Sequence, residues 1–199
     1  MLLCSISFGM HSIFHQKGQL NMNITVYLGA NLGTDKTYAM EAKALGSWIG
    51  SAGHRLIYGG SRAGLMGILA DAVLEAGGEV IGVEPSFFID AEVQHEGITQ
   101  LIVTDTMTER RAKMIEMGDA YVAFPGGTGT LEEISEVISA KKLGHTSKPV
   151  IVLNIEGYYD HLEALFRKMV EEGFLTRKDM DKTFFARTVE SAAWHIEHT

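Results

Sequence analysis

From Ile24 onward the chain alternates between short apolar runs and stretches of helical periodicity, and this constrains the fold more than any other feature. Ile24 to Leu28, Arg55 to Tyr58, Val80 to Val83, Leu101 to Val103, Ala120 to Phe124 and Val150 to Leu153 have strand length. Phe184 to Ala186 is a last short run. Between them, sets such as Tyr38, Ala42, Leu45 and Ile49, or Leu65, Leu69, Ala72 and Ala76, recur at the spacing of one helical face. No hairpin signal joins the strands, and they are apolar rather than alternating. Strands buried on both sides imply a mostly parallel sheet with helices on both faces, an α/β doubly wound architecture. The segment from Glu84 to Gly97 fits neither pattern and reads as an irregular loop beside a site.

The 199 residues suit one domain, expected to span residues 23–199. Residues 1–22 read as an extension outside the fold, because their apolar start lacks the positive charge of a secretory signal. No run reaches membrane-spanning length. Charge narrows the partners: 17 Lys and Arg against 25 Asp and Glu give −8, which argues against a general nucleic-acid binder. A single cysteine, Cys4, excludes an internal disulfide framework and a cysteine zinc cluster, and suits a reducing cytoplasmic setting. The eight histidines are scattered, so no metal is expected.

Two glycine-rich turns stand where ligands bind in such sheets, beyond the carboxyl ends of strands. They are Tyr58-Gly-Gly-Ser-Arg-Ala-Gly-Leu-Met-Gly67 and Phe124-Pro-Gly-Gly-Thr-Gly-Thr130. Each follows a strand and opens a helix. Glycines allow close backbone approach, and the free N–H groups of a helix start attract an anion, so the turns point to a phosphate. Gly59, Gly60, Gly126, Gly127, Thr128, Gly129 and Thr130 are the binding candidates. Neither turn matches the dinucleotide fingerprint or the P-loop.

Thr130 and Glu133 have the spacing of a capping box, as do Thr106 and Glu109. Glu109 reads as a cap; Glu133 reads equally as a cap or as a catalytic carboxylate. Arg110 shares a helical face with Met107, Met114 and Met117, a face expected to be core. A guanidinium there needs a carboxylate or phosphate partner, or else extends to solvent at the rim. Doubly wound topology would bring Arg110 opposite Glu133.

Pro125-Gly-Gly-Thr-Gly-Thr-Leu-Glu-Glu133 resembles the P-G-G-x-G-T-x-x-E signature of the Lonely Guy (LOG) family, cytokinin riboside 5′-monophosphate phosphoribohydrolases long labelled lysine decarboxylases. Met107-Thr-Glu-Arg-Arg-Ala-Lys-Met114 is similar to the family's M-H-x-R-K-x-x-M, and the first turn to its Y-G-G-G-x-x-G-L-M-G. The resemblance implies a Rossmann-like fold, usually a homodimer, with no cofactor. It implies hydrolysis of an adenine-type nucleoside 5′-monophosphate to free base and ribose 5-phosphate. Its key arginine and glutamate fall on Arg110 and Glu133. It sets phosphate and ribose against Gly127 to Thr130, with further contacts at Glu92, Arg111, Leu131, Glu132 and Ser139. Departures are Ser61 for glycine, Glu84 for an apolar residue, Thr108 for histidine, Arg111 for lysine and Ser139 for threonine; they bear on base selectivity and rate. A non-catalytic nucleotide or phospho-cofactor carrier is the alternative. A pyridoxal decarboxylase is discounted, since neither turn supplies a Schiff-base lysine.

Overall fold

The computed structural model describes residues 21–89 and 94–199. The strands are β1 (Asn23–Tyr27), β2 (Arg55–Tyr58), β3 (Glu79–Pro85), β4 (Gln100–Thr104), β5 (Ala120–Ala123), β6 (Val150–Leu153) and β7 (Phe184–Ala186). They form one sheet in the order β4-β3-β2-β1-β5-β6-β7. Every neighbouring pair is parallel, with Thr25 against Ile57 on one side of β1 and against Tyr121 on the other. The expected fold is therefore the observed one, a Rossmann-like α/β sheet.

Side chains alternate across each strand, so successive residues feed opposite cores. Ile24, Val26, Leu56, Tyr58 and Val122 pack on one face against helices α1 (Lys36–Ser51) and α2 (Gly64–Glu75). Short helix α3 (Ser86–Ile89) follows β3. On the other face Tyr27, Ile57, Val83 and Tyr121 meet Met114 of α4 (Met107–Met117) and Ile134 and Val137 of α5 (Thr128–Lys142). Helix α6 (Asp160–Glu171) lends Leu162 to this second core. Helix α7 (Arg177–Met180) leads to β7, and α8 (Val189–Glu197) closes the first face through Val189, Ala192 and Ile196.

Two expectations are corrected. The stretch from Glu84 is not irregular at its start: Glu84 and Pro85 extend β3, paired with Val103 and Thr104, and α3 follows at once. Residues 90–93 lie outside the described residues, and Gln94 bridges back to Ser61. The capping-box spacing of Thr130 and Glu133 sets a helix start near Thr130, but the helix begins at Thr128, with Gly127 as its N-cap. Of the expected extension, residues 1–20 lie outside the described residues. The carbonyl of Met22 accepts the N–H of Arg55 at 2.9 Å. Among the described residues no helix is long and apolar enough to cross a membrane.

Candidate active site

The sheet order reverses at β1, whose neighbours β2 and β5 carry the chain in opposite directions along the sheet. A crevice must open beyond the carboxyl ends there. The loop after β1 and the loop after β5 meet at its floor, where Gly29 N–H donates to Pro125 O at 3.2 Å. Above them lies a cavity of about 400 Å³, within the range of small-molecule sites.

Helix α5 aims its N-terminus into this cavity. Its cap, Gly127, has extended backbone and no side chain to offer, so no side-chain hydrogen bond closes the helix start. A 15-residue helix with an uncapped end brings both free N–H groups and the positive end of its dipole to the crevice. Thr130 and Glu133 are consequently not a capping box. Thr130 sits within the first turn, and Glu133 turns inward. At the neighbouring helix the same spacing does cap: Thr106 Oγ1 accepts from Glu109 N–H at 3.1 Å, and Glu109 Oε2 accepts from Asp105 N–H at 2.9 Å.

Arg110 Nη1 donates to Glu133 Oε1 at 2.5 Å, which ties α4 to α5 across the crevice. Its Nε donates to Val83 O at 3.0 Å. Both side chains are nearly buried, 11% and 9% exposed, so the arginine is a paired interior cation and not a rim residue. Burial pushes the Glu133 carboxyl above its ordinary value; the charge of Arg110 opposes this without cancelling it. Tyr27 lines the same wall. Burial and the Glu133 carboxylate hold its phenol well above the usual range, so it is a neutral hydroxyl.

The cavity brings together Gly59, Arg110, Gly126, Gly127, Thr128, Gly129, Thr130, Glu132 and Glu133. Gly60 lies one residue behind its wall. Arg111 is beside it on the outer side, paired with Glu132 Oε1 and Glu136 Oε2 at 3.1 Å each. Leu131 is 42% exposed on the outer surface of α5. Ser139 is exposed three turns along α5 from the crevice. Glu92 lies outside the described residues.

Sequence reasoning missed Asn31, Tyr38, Tyr158, Met66 and Met107 as lining residues. Tyr158 Oη donates to Gly126 O at 2.5 Å and packs edge-on against Tyr38, making an aromatic rim over the second glycine turn. A signal for Asn31 existed: the loop after β1 also leaves a carboxyl end at the switch point.

Gly59 fits because Arg110 comes so close. A Cβ there would stand 2.6 Å from Arg110 Nη2, and Val83 O and Glu133 leave the guanidinium little room to yield. Gly59→Ala is expected to lower turnover about 100-fold through displacement of Arg110, with a stability loss of about 1–3 kcal/mol. Steady-state kinetics with urea denaturation checks both; unchanged turnover would separate Gly59 from the chemistry.

A family model described as possible lysine decarboxylase matches residues 66–196. The described residues lining the cavity include no lysine, so it lacks the amine that a pyridoxal Schiff base requires. A cytokinin riboside 5′-monophosphate phosphoribohydrolase of Rhodococcoides fascians is 41% identical over 171 residues, 85% of this chain and 86% of the relative. An Arabidopsis thaliana protein of the same name is 41% identical over 153 residues, 77% of this chain and 72% of the relative. Among solved structures, a molybdenum-cofactor (Moco) carrier protein of Chlamydomonas reinhardtii superposes with a TM-score of 0.67 at 24% identity, covering 89% of this chain and 96% of that one. At that identity the likeness speaks to the fold. The family model spans about two thirds of the chain and the curated relatives share 41% identity over most of it, so the chain belongs to the Lonely Guy family of cytokinin riboside 5′-monophosphate phosphoribohydrolases, which are N-glycosyl hydrolases.

Proposed function

We propose that the chain hydrolyses the N-glycosidic bond of an adenine-type nucleoside 5′-monophosphate, AMP or an N6-substituted cytokinin riboside monophosphate, to free base and ribose 5-phosphate. The observation that carries this reading is the buried Arg110–Glu133 pair set 2.5 Å apart beneath an uncapped helix start. Free N–H groups at Thr128 to Thr130 suit a 5′-phosphate. With the phosphate held there, the sugar lies over Glu133.

Cleaving the bond builds positive charge on the ribose ring, as in other glycoside hydrolyses. A carboxylate at Glu133 stabilises that charge and orients or deprotonates the attacking water. The water oxygen bonds to the anomeric carbon, the carbon–nitrogen bond breaks with its electron pair going to the base, and the proton that water gives up ends on the departing base, which returns Glu133 to its carboxylate form. A guanidinium is a poor proton shuttle, so the work of Arg110 is to hold Glu133 in place and ionised. Leu65, Met66, Met107 and Met114 line the cavity, an apolar and adaptable surface suited to a base or an N6 substituent.

We also infer a homodimer in the cytoplasm. Support comes from the family resemblance and from apolar surface at Leu131 and Val103, 42% and 51% exposed. The activity is tested by incubating the protein with AMP and with N6-prenyl AMP and following base release chromatographically. Release from either, with ribose 5-phosphate in equal amount, is the expected result. Tight binding of both without release would move the chain to the carrier reading.

A further inference from the structure

Glu84 stands at the carboxyl end of β3, and the residue is 1% exposed. Its Oε2 has no hydrogen-bond partner among the described residues. A carboxyl placed so is costly unless it is neutral or lies near compensating charge. Pairing of Tyr58 with Gly82 sets Glu84 two residues further on, below the turn that follows β2. A Cβ on Gly60 would lie 3.3 Å from Glu84 Oε2, and one on Gly59 would lie 2.6 Å from Arg110 Nη2. The Gly59–Gly60 turn therefore separates the Glu84 carboxyl from the Arg110 guanidinium by little more than one backbone thickness. The carbonyl next to Glu84, that of Val83, is the one that accepts from Arg110 Nε.

We propose that Glu84 is a positioning residue that competes with Glu133 for the single positive charge of Arg110. The proposal rests on the reading of Glu133 as the working carboxylate. Burial raises both carboxyls and the guanidinium lowers both, so one cation serves two buried acids. Glu133 has the direct hydrogen bond and takes the cation first as pH rises; Glu84 keeps its proton to higher pH. When Glu84 does ionise, its charge draws on Arg110 from behind and loosens the hold on Glu133.

The other groups around the turn leave this competition to Arg110. From β2, Tyr58 presents a phenol that burial and the Glu84 charge hold above its ordinary range. From α2, Asp71 is engaged by His95 Nε2 at 2.9 Å. His95 takes the Gly97 N–H on Nδ1 at 3.1 Å, which leaves its proton on the nitrogen facing Asp71, and its backbone N–H donates to Gly60 O at 2.9 Å. Gln94, bridged to Ser61, brings an uncharged amide, and β4 brings apolar Leu101.

The test is a carbon-13 NMR titration of the full chain labelled at glutamate Cδ, with Glu84 and Glu133 assigned by Glu84→Gln and Glu133→Gln. In Glu133→Gln the Glu84 midpoint is expected to fall by about one pH unit or more, because the cation is then free for it. An unmoved Glu84 midpoint overturns the competition. Should Glu84→Gln fail to fold, the titration in Glu133→Gln still decides. In the kinetic arm, the alkaline limb of kcat/KM for base release is expected at the Glu84 midpoint and absent from Glu84→Gln. An identical limb in that variant would overturn the positioning role. If no nucleotide releases base, the hydrolase reading falls, while the NMR arm still decides whether the two carboxyls share Arg110.

Discussion

Exchanging Glu133 for glutamine is expected to lower kcat for base release by a factor of about 10² to 10⁴, with affinity for AMP changed only a few-fold. The substitution keeps the size of the side chain and its acceptor oxygen toward Arg110 Nη1, so the bridge between α4 and α5 persists. What it removes is the negative charge beside the ribose and the base that activates water. Phosphate binding rests on backbone N–H groups at the start of α5, which the change does not touch. The pH profile gives a second reading. Burial holds the Glu133 carboxyl above its ordinary value, so wild-type activity should rise with pH through that higher midpoint. The residual activity of Glu133→Gln should lack this rise. Glu109→Gln is the control, since Glu109 only caps α4. Equal kcat in Glu133→Gln and wild type would remove Glu133 from the chemistry, and loss of AMP binding would make its role one of binding.

The sequence carried the sheet further than it carried the site. Strands β2, β6 and β7 are legible to the residue, because each is a short, mostly apolar run bounded by residues that break the pattern. The Arg110–Glu133 encounter was legible too: a cation on an apolar helical face needs a partner, and doubly wound topology supplies one. The start of α5 is hidden by its Thr130–Glu133 spacing, which has the form of a capping box and is not one. Thr106 meets Glu109 at the same spacing and does cap, but Gly126 and Gly127 let the backbone enter α5 two residues sooner. The rim was invisible for a different reason. Tyr158 reaches Gly126 from a 3₁₀ turn, Ile155–Gly157, in which Glu156 takes the left-handed conformation at φ 51°. Such a conformation in a non-glycine residue is imposed by surrounding structure and leaves no periodic mark. Tyr38 sits on the stripe expected for α1, where periodicity shows burial without showing what lies opposite.

Replacing Arg110 by methionine is expected to cost stability in proportion to pH, and this separates its electrostatic work from its packing. In the wild type the Glu133 carboxyl already titrates above its unfolded value. A group raised in this way contributes its full stability below the unfolded midpoint and loses it as pH rises through the folded one. Removing Arg110 takes away the attraction that opposed burial, so the folded midpoint climbs further and the window of loss extends upward. Below about pH 4 both proteins hold the proton in both states, and the difference between them should be small. Above the wild-type folded midpoint, where only the variant still holds the proton in its folded state, the gap should widen by up to about 1.4 kcal/mol per pH unit, toward the roughly 3–5 kcal/mol of a buried pair stripped of one partner. Urea denaturation at pH 4 and pH 7.5 measures this directly. A gap of the same size at both values would assign the loss to packing alone. Arg110→Met combined with Glu133→Leu should recover most of the loss, because no uncompensated charge then remains at that position. The recovery should be incomplete if Glu84 also leans on Arg110, since its buried carboxyl loses the same cation. Adding Glu84→Gln to the pair should then flatten what remains of the pH dependence. A residual slope that survives all three changes would place the coupling elsewhere than on Arg110.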